Sequence, residues 1–428
     1  MRIVDYDRNP EEIRARITRS REPDRSIGSR ARSILDAVRA RGDGAVLEFT
    51  RTLDCPIIDR IGLRVPDAEI AEAYPQVDVR FRKALKAAIT NVTRYHKRQL
   101  PRSWTIKQRG LRLQQRFGPL KRVGIYVPGG KAAYPSTVVM NALPAAIAGV
   151  KEIVMVTPCN AEGKILPEVF VAAHECGVKE IYRIGGVQAI GALAFGTATI
   201  APVDKITGPG NAYVAAAKQL VFGIVGIDMI AGPTEVVVIA DDTANPSYVA
   251  ADLIAQAEHD ELASPVCITT SQAIAERISD EVDRQLENAP RRAIAAPAFE
   301  KNGCAIVVKN LDVAVDIANA LAPEHLEVLV RNPSRVVRRI TNAGAIFVGE
   351  WSTEALGDYI AGPNHTLPTS GTARFSSALS VFDFMKFTNI IECTKHRFLE
   401  LAPHIEVLAG VEGLAGHAAS VRIRRGKS

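Results

Sequence analysis

Apolar residues recur along the chain in two alternating patterns, one typical of strands and one typical of helices. Short apolar runs predict strands at 123–127, 152–157, 181–184, 235–240, 266–270, 304–308, 326–330 and 345–348. Segments with helical spacing separate most of these runs, at 136–149, 166–176, 187–195, 245–260, 273–286 and 313–321. Continuous apolar strands that alternate with helices are typical of parallel sheets covered on both faces. The sequence therefore predicts an α/β fold built from two βα arrays.

Both ends of the chain depart from this alternation. Residues 1–22 are charged and contain few core residues, which predicts an extended N-terminal arm. From Ser376 onward the alternation stops, which predicts a separate C-terminal tail. Two further helices are predicted, over 30–51 and 79–100. Because ligands bind beyond the carboxyl ends of the strands in open α/β sheets, we expect functional residues in the loops that follow the strands.

The segment 245–260 combines a helix start with two polar residues beside an apolar stripe. Asn245 can cap the helix, and Pro246 suits the first helical position. At about 100° per residue, Gln256 and His259 fall on one edge of the stripe, with Asp252 between them. An amide oxygen and an imidazole one turn apart could bind a single metal ion. Two half-solvated polar side chains are the alternative.

Composition narrows the class of protein. The 428 residues are 47% hydrophobic and 23% charged, enough for two to four structural units. No apolar run approaches the roughly 20 residues that span a bilayer, and the N-terminus has no signal-peptide core. The 6 cysteines are scattered without a C-x-x-C pair, which is typical of reduced, buried thiols. We therefore predict a cytoplasmic protein that does not contact a membrane.

A net charge of +6 and the basic stretch from Arg94 to Arg116 raise the question of nucleic-acid binding. A solvated face, a dimer rim or an anion-attracting cleft would have the same composition. No nucleic-acid-binding module accompanies these charges, so we predict no nucleic-acid partner.

Three Gly-rich turns suggest a nucleotide site, although no G-x-G-x-x-G follows a strand. They are V-P-G-G-K at 127–131, G-G-V-Q-A-I-G at 185–191 and T-G-P-G-N-A-Y at 207–213. Each precedes a helix, where backbone N–H groups can approach a phosphate. Ordinary turns before helices are the alternative.

Candidates for acid–base and metal chemistry come from distant segments. Glu324 and His325 are adjacent after Pro323, where both could reach one cleft or form an exposed surface pair. Further candidate ligands lie in two other segments, and they are Asp358, His365, Glu412 and His417. Mixed nitrogen and oxygen ligands are common in catalytic metal sites. The absence of H-E-x-x-H and G-x-S-x-G gives no support to a metalloprotease or a serine hydrolase.

From about residue 25 to residue 424, the chain resembles the L-histidinol dehydrogenase family. The likeness rests on many motifs in order, among them R-V-G-I-Y-V-P-G-G, V-D-K-I-T-G-P-G-N, A-G-P-T-E-V-V-V-I-A-D, A-A-D-L-I-A-Q-A-E-H-D, A-P-E-H-L-E, G-P-N-H-T-L-P-T and E-G-L-A-G-H-A. The resemblance implies oxidation of L-histidinol through L-histidinaldehyde to L-histidine, with NAD and one Zn²⁺ per subunit. It also implies an intertwined homodimer with shared active sites and two Rossmann-like domains related to the aldehyde dehydrogenase fold.

The resemblance further implies a role for each candidate residue. The zinc ligands would be Gln256, His259, Asp358 and His417 of the partner subunit, and these residues would also line the substrate site. NAD would be contacted by Tyr126, Gln188 and Asn211. Further substrate contacts would be Thr234, His325, His365 and Glu412. Thr234 stands where family members often have serine, so we expect only small effects on affinity.

The same resemblance suggests a division of chemical labour. His325 would take the hydroxyl proton of the alcohol, and Glu324 would then deprotonate the water that hydrates the aldehyde. A thiohemiacetal on cysteine is the competing route, but none of the cysteines lies in a recognised motif. A dehydrogenase for another polyol, such as a sulfonated propanediol, is the alternative function. A basic nucleic-acid-binding protein is a more remote one.

We predict four parts of the chain. They are an arm (1–22), a first α/β domain with the zinc and catalytic residues (23–125 with 236–378), a second α/β domain on the NAD side (126–235), and a tail that reaches the partner subunit (379–428).

Overall fold

The computed structural model describes residues 1–17, 25–129 and 134–426. The chain forms two compact units. The first comprises Met1–Gln99 and Leu120–Phe384, and the second comprises Leu100–Pro119 and the residues from Met385 onward.

The strands are β1 (Arg2–Asp5), β2 (Trp104–Gln108), β3 (Leu111–Pro119), β4 (Arg122–Tyr126), β5 (Glu152–Val156), β6 (Glu180–Tyr182), β7 (Lys205–Thr207), β8 (Gly226–Ile227), β9 (Glu235–Ala240), β10 (Ser264–Thr269), β11 (Cys304–Val307), β12 (His325–Leu329), β13 (Ala345–Val348) and β14 (Met385–Cys393). The helices are α1 (Pro10–Ile17), α2 (Arg25–Arg41), α3 (Asp43–Leu53), α4 (Ile58–Ile61), α5 (Asp67–Ala73), α6 (Val79–His96), α7 (Pro135–Ala148), α8 (Pro167–Glu175), α9 (Gly186–Phe195), α10 (Ala212–Val221), α11 (Pro246–Ala257), α12 (Gln272–Leu286), α13 (Arg292–Lys301), α14 (Leu311–Leu321), α15 (Pro333–Val337), α16 (Glu354–Leu356), α17 (Lys395–Val411) and α18 (Ala415–Arg424).

A six-stranded sheet in the order β1-β11-β10-β9-β12-β13 forms one half of the first unit, and all of its strands are parallel. The side chains of β9 alternate between two cores. Val236 and Val238 pack with helices α11, α12 and α13, whereas Val237 and Ile239 pack with α1, α14 and α15. Burial on both faces explains why these strands are continuously apolar, and it confirms the predicted α/β class.

A five-stranded parallel sheet in the order β6-β5-β4-β7-β8 forms the other half of the first unit. Residues of α2, α3 and α4 share one buried core with helices α9 and α10 and with strands of this sheet. The predicted domain boundaries place residues 25–61 with the other sheet, because neither their spacing nor their composition distinguishes one sheet from the other. The four-part division of the chain stays a prediction.

The N-terminal segment is not an extended arm over the described residues 1–17. Strand β1 pairs in parallel with β11 at the edge of the six-stranded sheet, and Ile13 of α1 is fully buried in the core. This segment has few apolar residues, but two of them, Val4 and Ile13, are buried in a core formed mainly by strands β9 to β12 and helix α14. Residues 18–22 of the predicted arm lie outside the described residues.

The predicted helix over 30–51 is two helices. Gly42 separates α2 from α3 with a φ of +52°, a left-handed conformation that glycine adopts without steric cost. Helix α13 and the short strands β7 and β8 carry no clear periodic signal, and the sequence analysis missed them. Among the described residues, no helix combines the length and the apolar character needed to cross a membrane.

The second unit contains a three-stranded antiparallel sheet in the order β14-β3-β2, followed by helices α17 and α18. The sequence predicted a change of pattern after Ser376, and this unit accounts for that change. Five of the cysteines are buried and Cys393 of β14 is exposed, and all six are free thiols.

An ion-pair network at the amino ends of β4, β5 and β6 links stability to pH. Arg122 donates to Glu180 Oε1 at 2.9 Å and to Glu152 Oε2 at 2.8 Å. The hydrogen bond from Arg122 is the main reason that the pKa of Glu180 falls to about 2. A depressed pKa stabilises the fold above the usual pKa of the group, and this contribution is lost as pH falls towards the depressed value.

We therefore expect Glu180→Gln to lower the free energy of unfolding by about 1–2 kcal/mol at pH 7. The difference from the parent should shrink between about pH 4.5 and about pH 2, because the parent loses the same contribution there. Urea unfolding at a series of pH values measures this difference in the free energy of unfolding, and Glu162→Gln, at an exposed position, is the control. A difference that stays constant over this pH range would contradict the assignment.

Candidate functional site

Glu324 and His325 follow helix α14 and enter strand β12. Ala322 ends the helix in a left-handed conformation with a φ of +48°, and Pro323 prevents its continuation. Glu324 is 8% exposed and His325 is 3% exposed, which excludes the alternative of an exposed surface pair. Two buried ionisable side chains side by side are costly unless other groups pair with them.

Thr234 and Gln256 provide that pairing. Glu324 Oε2 accepts hydrogen bonds from Thr234 Oγ1 at 2.5 Å and from the Glu235 N–H at 3.0 Å. Gln256 Nε2 donates to Thr234 Oγ1 and lies 3.2 Å from His325 Nδ1. The Thr234 hydroxyl therefore joins Gln256 of α11 to Glu324, and residues that are 90 positions apart in sequence share one buried cluster.

This cluster lies at the amino ends of the strands and not at their carboxyl ends. Thr234 immediately precedes β9, and His325 opens β12 and pairs with Val236 of β9. Gln256 is near the last turn of α11, a helix that returns towards the amino edge of the parallel sheet. The candidate residues Thr234 and Glu324 therefore precede strands of the six-stranded sheet and His325 opens one, whereas the sequence led us to expect such residues in the loops that follow the strands. The loops before β9 and β12 are brought together by strand pairing, which sequence spacing does not reveal.

The buried amide of Gln256 supports a metal site. Its Nε2 is surrounded by the acceptors Thr234 Oγ1 and Glu324 Oε2, so its Oε1 must point the other way. Gln256 is fully buried, and Oε1 has no hydrogen-bond partner within the described residues. A buried carbonyl oxygen without a donor is costly, and a metal ion would satisfy it.

His259 and Asp358 add further donors close to this amide. Ligand atoms of His259, Glu354 and Asp358 lie within 4.8 Å of one another. Asp358 is in a π-helical segment, Gly357–Ala361, that continues α16. Imidazole, amide and carboxylate donors fit a divalent ion such as Zn²⁺. Glu354 is an addition that the sequence analysis missed, although its spacing of one turn before Asp358 was a usable signal.

Three histidines set the charge state of Asp358. Burial alone would raise the pKa of this carboxyl, but the nearby His325, His365 and His259 lower it below its usual value. His325 Nε2 lies 3.5 Å from Asp358 Oδ1, and His365 Nδ1 lies 3.0 Å from the Asp358 carbonyl oxygen. Desolvation of the His259 ring lowers its pKa although part of the ring remains exposed, which favours the neutral form that binds metals. The structure thus brings together Gln256 of α11, His325 of β12 and the segment of Asp358.

The catalytic candidates have perturbed acidities. Burial raises the pKa of Glu324 above its usual value. Burial lowers the pKa of His325, but the carboxylates of Glu324, Glu354 and Asp358 outweigh it and raise this pKa to about 10. A divalent cation beside Asp358 would act in the opposite direction, because positive charge disfavours the imidazolium. A proton on Nδ1 could bond to the Glu235 carbonyl oxygen at 3.3 Å, which would leave Nε2 as the basic atom.

A second carboxyl layer lies beneath the site. Glu327 Oε1 accepts from the Glu354 N–H at 3.0 Å, and the Glu327 carboxyl lies within hydrogen-bonding reach of that of Asp252. Two carboxyls can bond in this way only if one carries a proton. Burial, together with Asp252, raises the pKa of Glu327 to about 9. Asp252 of α11 therefore faces Glu327 of β12, which in turn holds the start of α16.

The residues predicted to contact NAD lie at the carboxyl edge of the five-stranded sheet. Tyr126 ends β4 and its hydroxyl accepts from the Gly186 N–H at 3.1 Å. Gln188 Nε2 donates to Asp54 Oδ2 at 3.1 Å, and Gln188 Oε1 is buried without a partner in the described part of the chain. Asn211 caps α10 and is exposed.

These contacts fit a bound nucleotide only in part. The orphaned Gln188 oxygen is available to a ligand, whereas the Gly186 N–H is already bonded to Tyr126 and is not free for a phosphate. Asp54 was missed in the sequence analysis, because no spacing connects it with the Gly-rich turns. Gly130 and Lys131 of the first turn lie outside the described residues.

Glu412 and His417 belong to the second unit. Glu412 is the residue after α17, His417 lies in the first turn of α18, and both are exposed. Their contribution to a shared site stays a prediction.

The bridging role of Thr234 leads to a graded expectation. Thr234→Ser keeps the hydroxyl between Gln256 and Glu324, and its kcat/KM for the oxidation proposed below should stay within roughly threefold of the parent. Thr234→Val keeps the shape but removes the bridge, and kcat/KM should fall by roughly 10–100-fold, since each lost buried hydrogen bond costs about 1–3 kcal/mol. Steady-state kinetics of both variants measures this. A loss in Thr234→Ser as large as that in Thr234→Val would show that the effect is not specific to the hydroxyl bridge.

Comparison with known proteins is consistent with this arrangement. The family described as histidinol dehydrogenase matches residues 17–425. The histidinol dehydrogenase of Bacillus subtilis is 52% identical over 394 residues, which cover 92% of each chain. That of Synechococcus sp. is 50% identical over 395 residues, which cover 92% of this chain and 91% of the relative. A solved histidinol dehydrogenase from Elizabethkingia anophelis has a TM-score of 0.91 at 37% identity, over 97% of this chain and 96% of that one.

The match extends over nearly the whole chain, in sequence and in structure, and includes every segment that contributes to the buried cluster of Thr234, Gln256, Glu324 and His325. The chain belongs to the histidinol dehydrogenase family.

Proposed function

We propose that this oxidoreductase of histidine biosynthesis oxidises L-histidinol in two NAD-linked steps, through L-histidinaldehyde to L-histidine, with one Zn²⁺ per subunit. Family membership supports the overall reaction. The observation that supports the metal is the buried Gln256 Oε1, which lacks a partner among the described residues and lies on the same helix end as His259. We assign the remaining ligands to Asp358 and to His417 of the partner subunit.

Each bound group would supply one kind of chemistry. Zn²⁺ would hold and orient the substrate, and NAD would accept the hydride. His325 Nε2 would receive the hydroxyl proton of the alcohol. The buried carboxylate of Glu324, whose pKa is raised, would deprotonate the water that adds to the aldehyde. His365 and Glu412 would contact the amine and imidazole of the substrate.

Removal and return of metal tests the proposal. The purified protein is treated with a chelator, its zinc content is measured, and NADH formation from histidinol is followed before and after zinc is added. We expect activity to disappear with the metal and to return with it. No NADH formation by the untreated enzyme, or activity that is indifferent to metal, would refute the proposal. A substrate panel with a sulfonated propanediol decides between histidinol and another polyol, and a salt-dependent gel shift tests nucleic-acid binding.

A homodimer with shared sites is part of the proposal. The second unit exposes several large apolar side chains, including Val411 at 84% exposure and Ile423 at 71%. Exposed apolar surface of this kind supports an interface with a second copy. A cytoplasmic location stays a prediction.

Mixing two inactive variants tests the shared site. His259→Ala and His417→Ala homodimers should each be inactive. In a mixed dimer one of the two sites has both ligands intact. Subunit exchange should therefore restore roughly a quarter of the parent activity when subunits pair at random, and at most about half when every dimer is mixed. Light scattering and mass spectrometry of differently tagged subunits verify the exchange. Continued inactivity after verified exchange would argue that each chain completes its own site.

A further inference from the structure

A buried ion pair lies behind the third Gly-rich turn. Lys218 of α10 pairs with Asp228, the residue after β8, and their side chains are only 2% and 1% exposed. Burying two charges costs several kcal/mol, and hydrophobic residues of similar volume would often be at least as stable. The pair therefore calls for an explanation other than stability.

Both charges are bonded to one glycine. Asp228 Oδ2 accepts from the Gly208 N–H at 2.7 Å, and Lys218 Nζ donates to the Gly208 carbonyl oxygen at 2.9 Å. Asp228 is itself held by the Met229 N–H at 2.7 Å. The two hydrogen-bonding groups of a single turn residue are thus taken by the two halves of one ion pair.

The turn leaves no room for a side chain at residue 208. Gly208 has a φ of +111°, and a Cβ added to it would lie 2.1 Å from the Tyr126 carbonyl oxygen. The turn therefore passes directly over the end of β4. On its other side, Asn211 Oδ1 accepts from the N–H groups of Tyr213 and Val214 at the start of α10. The segment 208–211 is therefore held at both ends, by the ion pair at Gly208 and by the cap at Asn211, and Asn211 is exposed.

We propose that Lys218 and Asp228 are positioning residues that hold the turn 208–211 in the conformation that receives the nicotinamide dinucleotide. This inference rests on the proposed NAD-linked function. The ion pair acts through Gly208 and does not itself contact the cofactor. Burial of the ion pair costs folding free energy. In return the turn is rigid before the cofactor arrives, so less conformational entropy is lost on binding.

The double variant Lys218→Met/Asp228→Leu tests the inference. It removes both charges together, so neither is left unpaired, and it fills the space with apolar side chains. We expect the KM for NAD to rise roughly tenfold or more, equivalent to about 1.4 kcal/mol. The kcat, the KM for histidinol and the zinc content should stay within about twofold. In the NAD-free enzyme, hydrogen exchange at residues 206–212 should become at least roughly tenfold faster.

Glu69→Gln is a control for the loss of an ion pair elsewhere beside this sheet. It breaks the ion pair of Glu69 with the buried Arg183, which packs beside the same sheet but has no contact with Gly208. It should leave both KM values and the exchange of 206–212 unchanged.

The possible outcomes distinguish a failure of the proposed function from a failure of the positioning role. If the parent enzyme forms no NADH from histidinol, the proposed function fails. If the parent is active but the double variant keeps its KM for NAD, the positioning role is refuted, even if exchange becomes faster. A parallel loss of zinc, histidinol affinity and NAD affinity would show that the ion pair supports only the general fold.

Discussion

Glu324→Gln is expected to lower the rate of histidinaldehyde oxidation by roughly 10²–10⁴-fold, the usual contribution of a general base, and to change alcohol oxidation by less than roughly tenfold. The substituted amide has almost the same shape as the carboxylate. Its oxygen can still accept from Thr234 Oγ1 and the Glu235 N–H, which bond to Glu324 Oε2 in the parent. The variant therefore loses the base while the buried cluster keeps its geometry.

The two half-reactions measure this directly. Histidinol and histidinaldehyde are supplied separately in single-turnover experiments with enzyme in excess. The NADH formed is counted per molecule of substrate supplied. The parent should form about two NADH per histidinol and the variant about one on the same timescale, since each NAD accepts one hydride. Exposed Glu350→Gln serves as the control. An equal loss in both half-reactions would refute the division of labour between Glu324 and His325.

His259→Asn is expected to weaken zinc binding by at least roughly 100-fold, which is more than the loss of a residue that only supports a ligand would cause. Activity should fall in proportion to the zinc that is lost. His259 is exposed at the end of α11 and is not part of the core, so the midpoint of thermal unfolding of the metal-free protein should change little. Competition with a zinc-sensitive dye gives the affinity, and elemental analysis gives the metal content.

The control for this experiment is His404→Asn, which removes an exposed histidine from α17. Retention of full zinc content by His259→Asn would remove His259 from the ligand set. The carboxyls of Glu354 and Asp358 would then lie beside Glu324 and His325 without holding a metal through His259.

Helix α11 shows which features of a helix can be predicted from local sequence pattern. Asn245 caps it by accepting from the Ser247 N–H, Pro246 is its first residue, and Val249 and Leu253 are fully buried, as the spacing predicts. The same reasoning placed Gln256 and His259 on one edge of the stripe. It could not show that Gln256 is completely buried, because that depends on Glu324 and Thr234, which approach from other strands.

Two errors have a common physical origin. Residues 2–5 form a strand only because β11 offers an edge for pairing, and the catalytic candidates gather at amino ends of strands only because β9 and β12 are neighbours. Both features depend on contacts between residues far apart in the chain. A window of a dozen residues contains no record of such contacts.

Local sequence pattern alone predicts the α/β class, the principal alternating strands and helices of the two parallel sheets, and the residue types from which a metal and acid–base site could be built. These features follow from periodicity and capping, which act within a few residues. The three-dimensional fold was needed to show that residues 25–61 pack on the five-stranded sheet, that Asp252 lies beside Glu327, and that Lys218 and Asp228 hold Gly208. Those pairings exist because strand register and helix packing bring distant polar groups into dry surroundings, where each must find a partner.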